Sequence, residues 1–234
     1  MEKYGYRFSF GPWNIHEDAD SFGPPVRPTR DFERKLAITL SAHLQKPASE
    51  VMGRAFLNDP LWKYLVPDDA RRVRVVPLSL CTQVRYSLLY GEIYTTPTLD
   101  GVACWLPPGK TTPAFGRMVL IGIRNATLEI GLTGIRCYLA VENYCGAVHK
   151  HAVPGMHWYL WGLGVEPSRQ GQGIGGMLIQ PVLARADASG LPCYLETMNE
   201  RNVPFYEKHG FKVVSVGEVP RHGLRVWAML REPR

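Results

Sequence analysis

The sequence lacks any long hydrophobic run, since Arg, Gly or Pro interrupts each apolar stretch. A helix needs about 20 consecutive apolar residues to span a bilayer. The N-terminal residues also lack the basic and then apolar pattern of a secretory signal. We therefore expect a cytoplasmic protein with no membrane partner.

Cysteine is scarce, with five residues scattered over 234 positions and no C-x-x-C pair. An odd number without zinc-finger spacing argues against a disulfide framework and against a metal site. We expect reduced thiols and no bound metal. Cys193 has no histidine beside it in the sequence, which argues against a thiol nucleophile.

Dense clusters of one charge are also missing. The net charge is +6, but the basic residues are dispersed, and their densest group is Arg71, Arg72 and Arg74. Such a short run is typical of a solvated helix face, so we expect no nucleic-acid partner.

Residues 1–32 differ in pattern from the rest of the chain. Tyr4, Tyr6, Phe8 and Phe10 alternate with small or polar residues, which predicts a strand, and a Pro- and Gly-rich stretch follows. We interpret this segment as an N-terminal arm of unknown role. It either packs on the main domain, residues 33–234, or adds a strand to another subunit in a homodimer.

The first part of the main domain mixes strand and helix patterns. The predicted elements are a strand within 35–44, helices over 49–65 and 70–89 with a break at Asp59-Pro60, a hairpin over 91–109 that turns at Leu99-Asp100-Gly101, and two helices within 113–150 broken near Asn125, Gly131 and Gly134.

The last part of the domain has the clearest pattern. The predicted elements are strands at 157–165, 191–196, 211–219 and 224–230, a helix from the glycine run to Ser189 that ends at Gly190 and bends at Pro181, and a short helix over 202–208. Strand, helix and strand in this order predict an α/β fold with the glycine loop at the first turn.

The glycine run RQGQGIGG, which begins at Arg169, fits two phosphate-binding motifs. Gly171, Gly173 and Gly176 satisfy the dinucleotide fingerprint G-x-G-x-x-G, and Glu196 follows at the distance of the motif's acid. However, five residues separate the loop from its strand, and the chain after the loop is too short for a doubly wound sheet. The alternative, Gln170-x-x-Gly173-x-Gly175, indicates coenzyme A.

Two matched motifs resemble the GNAT superfamily of N-acetyltransferases. VEPSRQGQGIG, Val165–Gly175, matches V-x-P-x-x-(Q/R)-x-x-G-x-(G/A), and NERNVPFYEKHGF, Asn199–Phe211, matches the second motif with Asn202 at the usual alanine. The LET stretch, Pro181 and the EVP…WAM ending resemble the puromycin N-acetyltransferase-like branch most closely. The resemblance covers 158–230 well and 49–106 loosely.

The resemblance implies a mixed, mostly antiparallel central sheet flanked by helices, with 33–234 as an acetyl-CoA-dependent N-acetyltransferase domain. Acetyl-CoA would be the co-substrate. The residues implied in holding it are Leu163, Val165, Gln170, Gly171, Gln172, Gly173, Ile174, Gly175, Gly176, Asn199 and Tyr206.

Acetyl transfer to an amine requires a proton acceptor for the amine and a proton donor for the departing thiolate. Tyr206 matches the family's tyrosine beside the cofactor sulfur and is the candidate acid. Glu196, at the end of LPCYLE, is the candidate base, and His157 is the second candidate. We expect Glu142, His149 and His151 to be exposed or simply hydrogen-bonded.

The expected reaction is direct attack of a small-molecule primary amine on the thioester. Two alternatives stay open. One is an acyl-CoA-binding regulatory module without turnover, and the other is an acetyltransferase that acts on a protein or peptide amine.

Overall fold

The computed structural model describes residues 38–120 and 123–234. The predicted N-terminal arm and the start of the predicted strand at 35–44 lie outside these ranges, so the arm's strand and role stay predictions. Within the described ranges, no helix is both long and apolar enough to cross a membrane.

The described part of the chain contains seven strands, seven α-helices and three short 3-10 helices. The strands are β1 (Ile38–Thr39), β2 (Glu92–Thr95), β3 (Gly101–Leu106), β4 (Trp158–Val165), β5 (Cys193–Thr197), β6 (Lys212–Val219) and β7 (Leu224–Arg231). The α-helices are α1 (Gln45–Phe56), α2 (Pro60–Leu65), α3 (Asp69–Tyr90), α4 (Phe115–Leu120), α5 (Ile123–Ala152), α6 (Ile174–Ser189) and α7 (Val203–Lys208).

The strands form one mixed sheet in the order β1-β2-β3-β4-β5-β7-β6. Only β4 and β5 run parallel, joined by the crossover through α6, and the other neighbours are antiparallel. This arrangement confirms the predicted fold, a mostly antiparallel sheet flanked by helices.

A gap opens in the middle of the sheet. The ladder between β4 and β5 has two residue pairs, Trp158 with Cys193 and Tyr159 with Tyr194. Beyond them, β4 pairs only with β3 up to Val165, and β5 pairs only with β7. The two central strands therefore separate after these two pairs. Glu196 of β5 and the glycine loop after β4 both lie beyond the point of separation.

Helices cover both faces of the sheet. On one face, Leu178 and Ile179 of α6 are fully buried against Leu160 and Leu195. On the other face, α1, α2, α3 and α5 share a second core with β3 and the β6–β7 hairpin. Burial of each such aliphatic side chain stabilises the fold by roughly 1.5–3 kcal/mol, so both helical layers hold the edges of the gap in place.

The predicted strand at 35–44 is largely wrong in the described residues. Only Ile38–Thr39 is extended, a 3-10 helix covers Ala42–Leu44, and α1 begins at Gln45. Pro47 lies in the first turn of α1, where its missing N–H is not needed by the helix. The alternating apolar residues that predicted a strand therefore lie mostly in the segment that leads into α1.

The predicted hairpin forms between β2 and β3. Its left-handed residue is Leu99, with a φ of 56°, and not the Asp100-Gly101 pair. The reason is local hydrogen bonding, because the Asp100 N–H donates to Thr96 Oγ1 at 2.8 Å and Gly101 already belongs to β3.

Two helices lie within 113–150 as predicted, but the breaks differ. Gly131 interrupts α5 with a φ of 80°, whereas Asn125 and Gly134 stay helical. The helix α6 runs through Pro181 and ends at Gly190, whose φ of 65° confirms the predicted stop. The bend at Pro181 stays a prediction.

The predicted solvated face of Arg71, Arg72 and Arg74 is wrong for Arg72. Its side chain is buried and donates from Nη1 to the carbonyls of Val66, at 2.9 Å, and Pro67, at 3.0 Å. The loop between α2 and α3 has carbonyls without helical partners, and this guanidinium satisfies them.

Candidate active site

The glycine run forms the loop between β4 and α6. A 3-10 helix over Pro167–Arg169 follows β4, and Gly173 is the N-cap of α6. Gly171 and Gly173 have φ angles of 75° and 81°, which strain any residue with a Cβ. A Cβ on either glycine would meet nothing within 4 Å, so the loop is open around them. The N-terminus of α6 is thereby accessible to an anion such as a pyrophosphate.

Gly175 and Gly176 lie inside α6 and face α7. A Cβ on Gly175 would lie 3.1 Å from the Phe205 ring, and one on Gly176 would lie 2.5 Å from His209 Nε2. The two glycines thus allow α6 to lie against α7. The remaining loop residue Gln172 is exposed, and Ile174 is buried in the α6 core.

Polar contacts hold the loop against its neighbours. The Gln170 side chain donates to the Val165 carbonyl at 3.1 Å, and the Glu166 N–H donates to the Asp100 carbonyl at 2.8 Å. The Glu166 carboxylate also pairs with Arg54 of α1 at 2.8 Å. The loop is therefore tied to α1 and to the β2–β3 turn.

A β-bulge at Trp161 interrupts β4. The register with β3 shifts between Cys104 and Trp105, which leaves Trp161 without a partner residue on β3. Its carbonyl instead accepts a hydrogen bond of 2.7 Å from Gln83 Nε2 of α3. The extra residue reverses the alternation of side chains along β4.

After the bulge, Leu163 and Val165 pack with the α6 core, whereas Gly162 and Gly164 face α1. A Cβ on Gly164 would lie 2.8 Å from Met52 Sδ, so α1 rests directly on the strand backbone. Since β5 has separated by this point, the backbone of Leu163 and Val165 borders the gap.

Tyr206 of α7 is buried between the rings of Phe205 and Phe211. Burial raises the pKa of its phenol, and the charge of Asp59 raises it further. The hydroxyl therefore keeps its proton at neutral pH and can act as a donor.

Asp59 is a residue that sequence analysis interpreted only as a helix break. It caps α2 by accepting a hydrogen bond of 3.0 Å from the Leu61 N–H. Burial raises its pKa to about 6, against the opposing effect of its backbone hydrogen bonds. Asp followed by Pro is a frequent N-cap signal, but its proximity to Tyr206 depends on the tertiary fold.

Asn199 forms the turn after β5. Its N–H donates to Thr197 Oγ1 at 3.2 Å, and its Oδ1 accepts from the Arg201 N–H at 3.2 Å, which caps a 3-10 helix over Glu200–Asn202. Asn202, at the usual alanine position, donates to the same Thr197 hydroxyl at 3.3 Å. Both asparagines thus shape the turn that leads into α7.

Glu196 lies on β5 beside the gap, with only 7% of its side chain exposed. Burial raises its pKa to about 7. The Tyr159 and Tyr194 hydroxyls oppose this rise, although Glu196 Oε1 and the Tyr194 hydroxyl make no hydrogen bond of standard geometry. A carboxyl with this pKa changes its protonation state near neutral pH, as a general base must.

Glu142 of α5 faces the same region. Burial raises the pKa of its carboxyl, and the Tyr138 hydroxyl opposes the rise, yet the residue keeps much of its surface accessible to solvent. Its charge also raises the pKa of Glu196, so the two carboxylates are close neighbours.

His149 lies next to Glu196, and His157 lies next to His149. We call these two histidines, with Glu142, Glu196, Tyr159 and Tyr194, the polar cluster. Their Nε2 atoms are 2.7 Å apart, and His149 Nδ1 lies 3.8 Å from Glu196 Oε1. The His149 ring stacks on Tyr194 with 4.2 Å between centroids. Burial, with the neighbouring His157, lowers the pKa of His149 to about 4, and burial lowers the pKa of His157. Both imidazoles are therefore neutral at pH 7.

His149 is not among the site residues predicted from the sequence. The available signal was spacing, because Glu142, Cys145 and His149 recur at helical intervals and share one face of α5. In the part of the chain that the structure describes, no group of three or more His, Cys, Asp or Glu could hold a metal ion.

Comparison with known proteins is consistent with this geometry. Residues 126–211 match the model of the acetyltransferase (GNAT) family. An uncharacterised N-acetyltransferase of Schizosaccharomyces pombe is 25% identical over 196 residues, which are 80% of this chain and 79% of the relative.

Solved structures share the fold. The C-terminal condensation domain of Ebony in complex with beta-alanyl-dopamine has a TM-score of 0.60 at 11% identity, covering 84% of this chain and 97% of that chain. A protein described as histone acetyltransferase HPA2 and related acetyltransferase, from Corynebacterium glutamicum, has a TM-score of 0.56 at 20% identity, covering 85% and 96%. Arylalkylamine N-acetyltransferase 2 from Aedes aegypti has a TM-score of 0.54 at 14% identity, covering 84% and 98%.

The chain is thus similar to the GNAT family over the segment from α5 to α7, and it shares its fold with solved acetyltransferase structures.

Proposed function

We propose that this chain transfers the acetyl group of acetyl-CoA to a primary amine of a small molecule by direct attack. The observation that carries the proposal is the gap between β4 and β5. The open glycine loop follows β4 at one end of this gap, and Glu196 of β5 borders it. A phosphate-binding loop and a titratable carboxyl on one opening are what acetyl transfer from coenzyme A requires.

The residues at the gap fit acetyl-CoA. The loop from Gln170 to Gly175 and the N-terminus of α6 would hold the pyrophosphate, because the two left-handed glycines leave space and the helix end is electropositive. The backbone of Leu163 and Val165 would hold the pantetheine arm, and Asn199 would contact the same arm from the β5 side. Acetyl-CoA supplies the activated acyl group.

Glu196 would accept the proton of the amine. Its pKa of about 7 lets it bind and release a proton near neutral pH, and burial keeps competing water away. His157, the second candidate base, has both ring nitrogens engaged, Nδ1 with the Gly155 carbonyl at 2.6 Å and Nε2 with His149 at 2.7 Å. We therefore assign the direct role to Glu196.

Tyr206 would protonate the departing thiolate. The raised pKa keeps its hydroxyl in the donor form, and the charge of Asp59, the N-cap of α2, contributes to this rise. Asp59 favours the neutral phenol, since an ionised Tyr206 would lie next to its carboxylate.

The surroundings of Glu196 favour a cationic acceptor. Two carboxylates, Glu142 and Glu196, lie among the aromatic rings of Tyr138, Tyr159 and Tyr194. Carboxylates attract an ammonium group, and aromatic faces attract it as well. These side chains would therefore attract an acceptor that carries an ammonium group.

The test is amine-dependent release of CoA from acetyl-CoA across a panel of arylalkylamines, aliphatic diamines and lysine peptides. We expect turnover with small amines and saturable binding of acetyl-CoA, but not of NADH, in calorimetry. Acetylation of peptides alone would replace the small-molecule acceptor with a protein one. Tight acetyl-CoA binding without turnover would instead support a regulatory module.

Tyr206→Phe sharpens this test because it removes only the hydroxyl. We expect kcat to fall while the affinity for acetyl-CoA stays the same, with Tyr64→Phe as the control for loss of an exposed tyrosine hydroxyl. The cytoplasmic location, the homodimer and the puromycin N-acetyltransferase-like branch stay predictions.

A further inference from the structure

The hydrogen bond between His149 and His157 has a defined direction. The Gly155 carbonyl can only accept, so the contact of 2.6 Å with His157 Nδ1 requires a proton on that nitrogen. A neutral His157 then has its lone pair on Nε2. The contact of 2.7 Å between the two Nε2 atoms therefore requires the proton on His149 Nε2.

This assignment leaves His149 Nδ1 as a hydrogen-bond acceptor. His149 Nδ1 lies 3.8 Å from Glu196 Oε1, the carboxylate oxygen that has no hydrogen-bond partner. The separation is longer than a hydrogen bond, but a small rotation of the carboxyl would bring an O–H on this oxygen within reach. The chain thus places a neutral acceptor next to the proposed base.

We propose that His149 receives the proton that Glu196 takes from the amine, and that His157 positions His149 for this transfer. The inference rests on the proposed acetyl transfer. It adds a catalytic step for a residue outside both sequence motifs.

Each proton in this relay has a donor and an acceptor. Glu196 takes a proton from the ammonium group of the acceptor, and its O–H then donates to His149 Nδ1. The resulting imidazolium keeps its Nε2–H on His157 and loses a proton to water, since 12% of the His149 side chain is exposed. Glu196 is again a carboxylate and His149 again neutral, so the net change is one proton moved from the ammonium to solvent.

Burial disfavours a positive charge on His149, so the imidazolium is short-lived, and neighbouring carboxylates offset part of the cost of forming it. Glu142 and Cys145 face the site from α5, Tyr159 from β4, and Tyr194 from β5. Burial raises the pKa of Cys145 and of both tyrosines, so these three groups stay neutral at pH 7. The charges facing an imidazolium are then the carboxylates of Glu142 and Glu196, which stabilise it.

The decisive variant is His149→Phe, which keeps a ring on Tyr194 and removes both nitrogens. We expect kcat at pH 7 to fall about tenfold or more, at the lower end of general acid–base effects, while KM and the acetyl-CoA affinity stay the same. Added imidazole should restore part of the rate in His149→Ala. His157→Gln keeps one acceptor and one donor and should therefore slow turnover less than His157→Leu, which has neither.

Nitrogen NMR of the wild-type protein gives an independent readout, with the proton expected on Nε2 of His149 and on Nδ1 of His157. A folded, cofactor-binding His149→Phe with wild-type kcat and pH profile would overturn the relay, as would a proton on His149 Nδ1. An absence of amine-dependent turnover in the wild-type protein would count against acetyl transfer itself, so the two failures are distinguishable.

Discussion

The glycine loop and the polar cluster border the same gap but are built in opposite ways. The loop is one continuous segment from Val165 to Gly176, and it acts through its backbone and a helix end. The cluster gathers side chains from α5, β4 and β5, with Glu142 and Glu196 more than fifty positions apart in the chain. Cofactor binding therefore depends on local conformation, whereas proton transfer depends on tertiary packing.

This difference explains why the two regions respond differently to substitution. A change in the loop should weaken acetyl-CoA binding and leave the titration of the cluster intact. A change in the cluster should alter kcat and the pH profile and leave acetyl-CoA binding intact. Substitutions in either region therefore test whether cofactor binding and proton transfer are separate.

Glu196→Gln should have the largest effect. The amide cannot accept the amine's proton, so we expect kcat to fall at least about 100-fold, within the usual range for a general base. Stopped assays of CoA release would measure it, and calorimetry should show unchanged acetyl-CoA binding. Near-normal kcat in a folded variant would remove Glu196 from the mechanism.

The buried carboxyl of Glu196 should also make stability depend on pH. Its pKa rises from 4.5 in the unfolded chain to about 7 in the fold, so the native state holds the proton more tightly between these values. Stability is then greatest below the lower value and declines as the pH rises to 7, by up to about 3 kcal/mol.

Glu196→Gln removes this titration. Its free energy of unfolding, measured in urea, should therefore increase relative to that of the wild-type protein as the pH rises from 5 to 8. An equal difference at both pH values would show that Glu196 is ionised throughout. His149, whose pKa is lowered to about 4, contributes a slope of the opposite sign in both proteins.

Gly173→Val should weaken acetyl-CoA binding by about tenfold or more, because a β-branched residue at positive φ distorts the loop by about 1–2 kcal/mol. Gly223→Val is the matched control, since Gly223 also has a positive φ, 64°, with no neighbour within 4 Å, but lies in the β6–β7 turn. Calorimetry should separate the two variants. Equal losses of affinity would mean that the loop is not the binding site.

Arg54→Gln should have the smallest effect. The ion pair with Glu166 ties the loop to α1, but half of the arginine side chain is exposed. Such pairs contribute less than about 1 kcal/mol, so we expect a several-fold loss of acetyl-CoA affinity at most, and less at high salt. A large change in kcat would show that the loop also affects proton transfer in the polar cluster. This result would contradict the separation of cofactor binding from proton transfer.

The elements of the C-terminal part were predictable, because turn residues and short-range patterns control them. Gly190 ends α6, and the strands at 211–219 and 224–230 form the hairpin of β6 and β7. The N-terminal part was harder to predict. Of the strand expected at 35–44, the described residues keep only Ile38–Thr39 before a 3-10 helix begins at Ala42. The expected breaks at Asn125 and Gly134 are absent, since α5 is stabilised by its packing.

By itself, the sequence determined the glycine loop and the order of strand, helix and strand around it, because these depend on residues that are neighbours in the chain. Only the tertiary structure decided that His149, His157 and Glu196 meet beside the gap, and that Asp59 influences Tyr206. The reason is physical: a pKa is set by burial and by nearby groups, and both arise only when distant segments pack together.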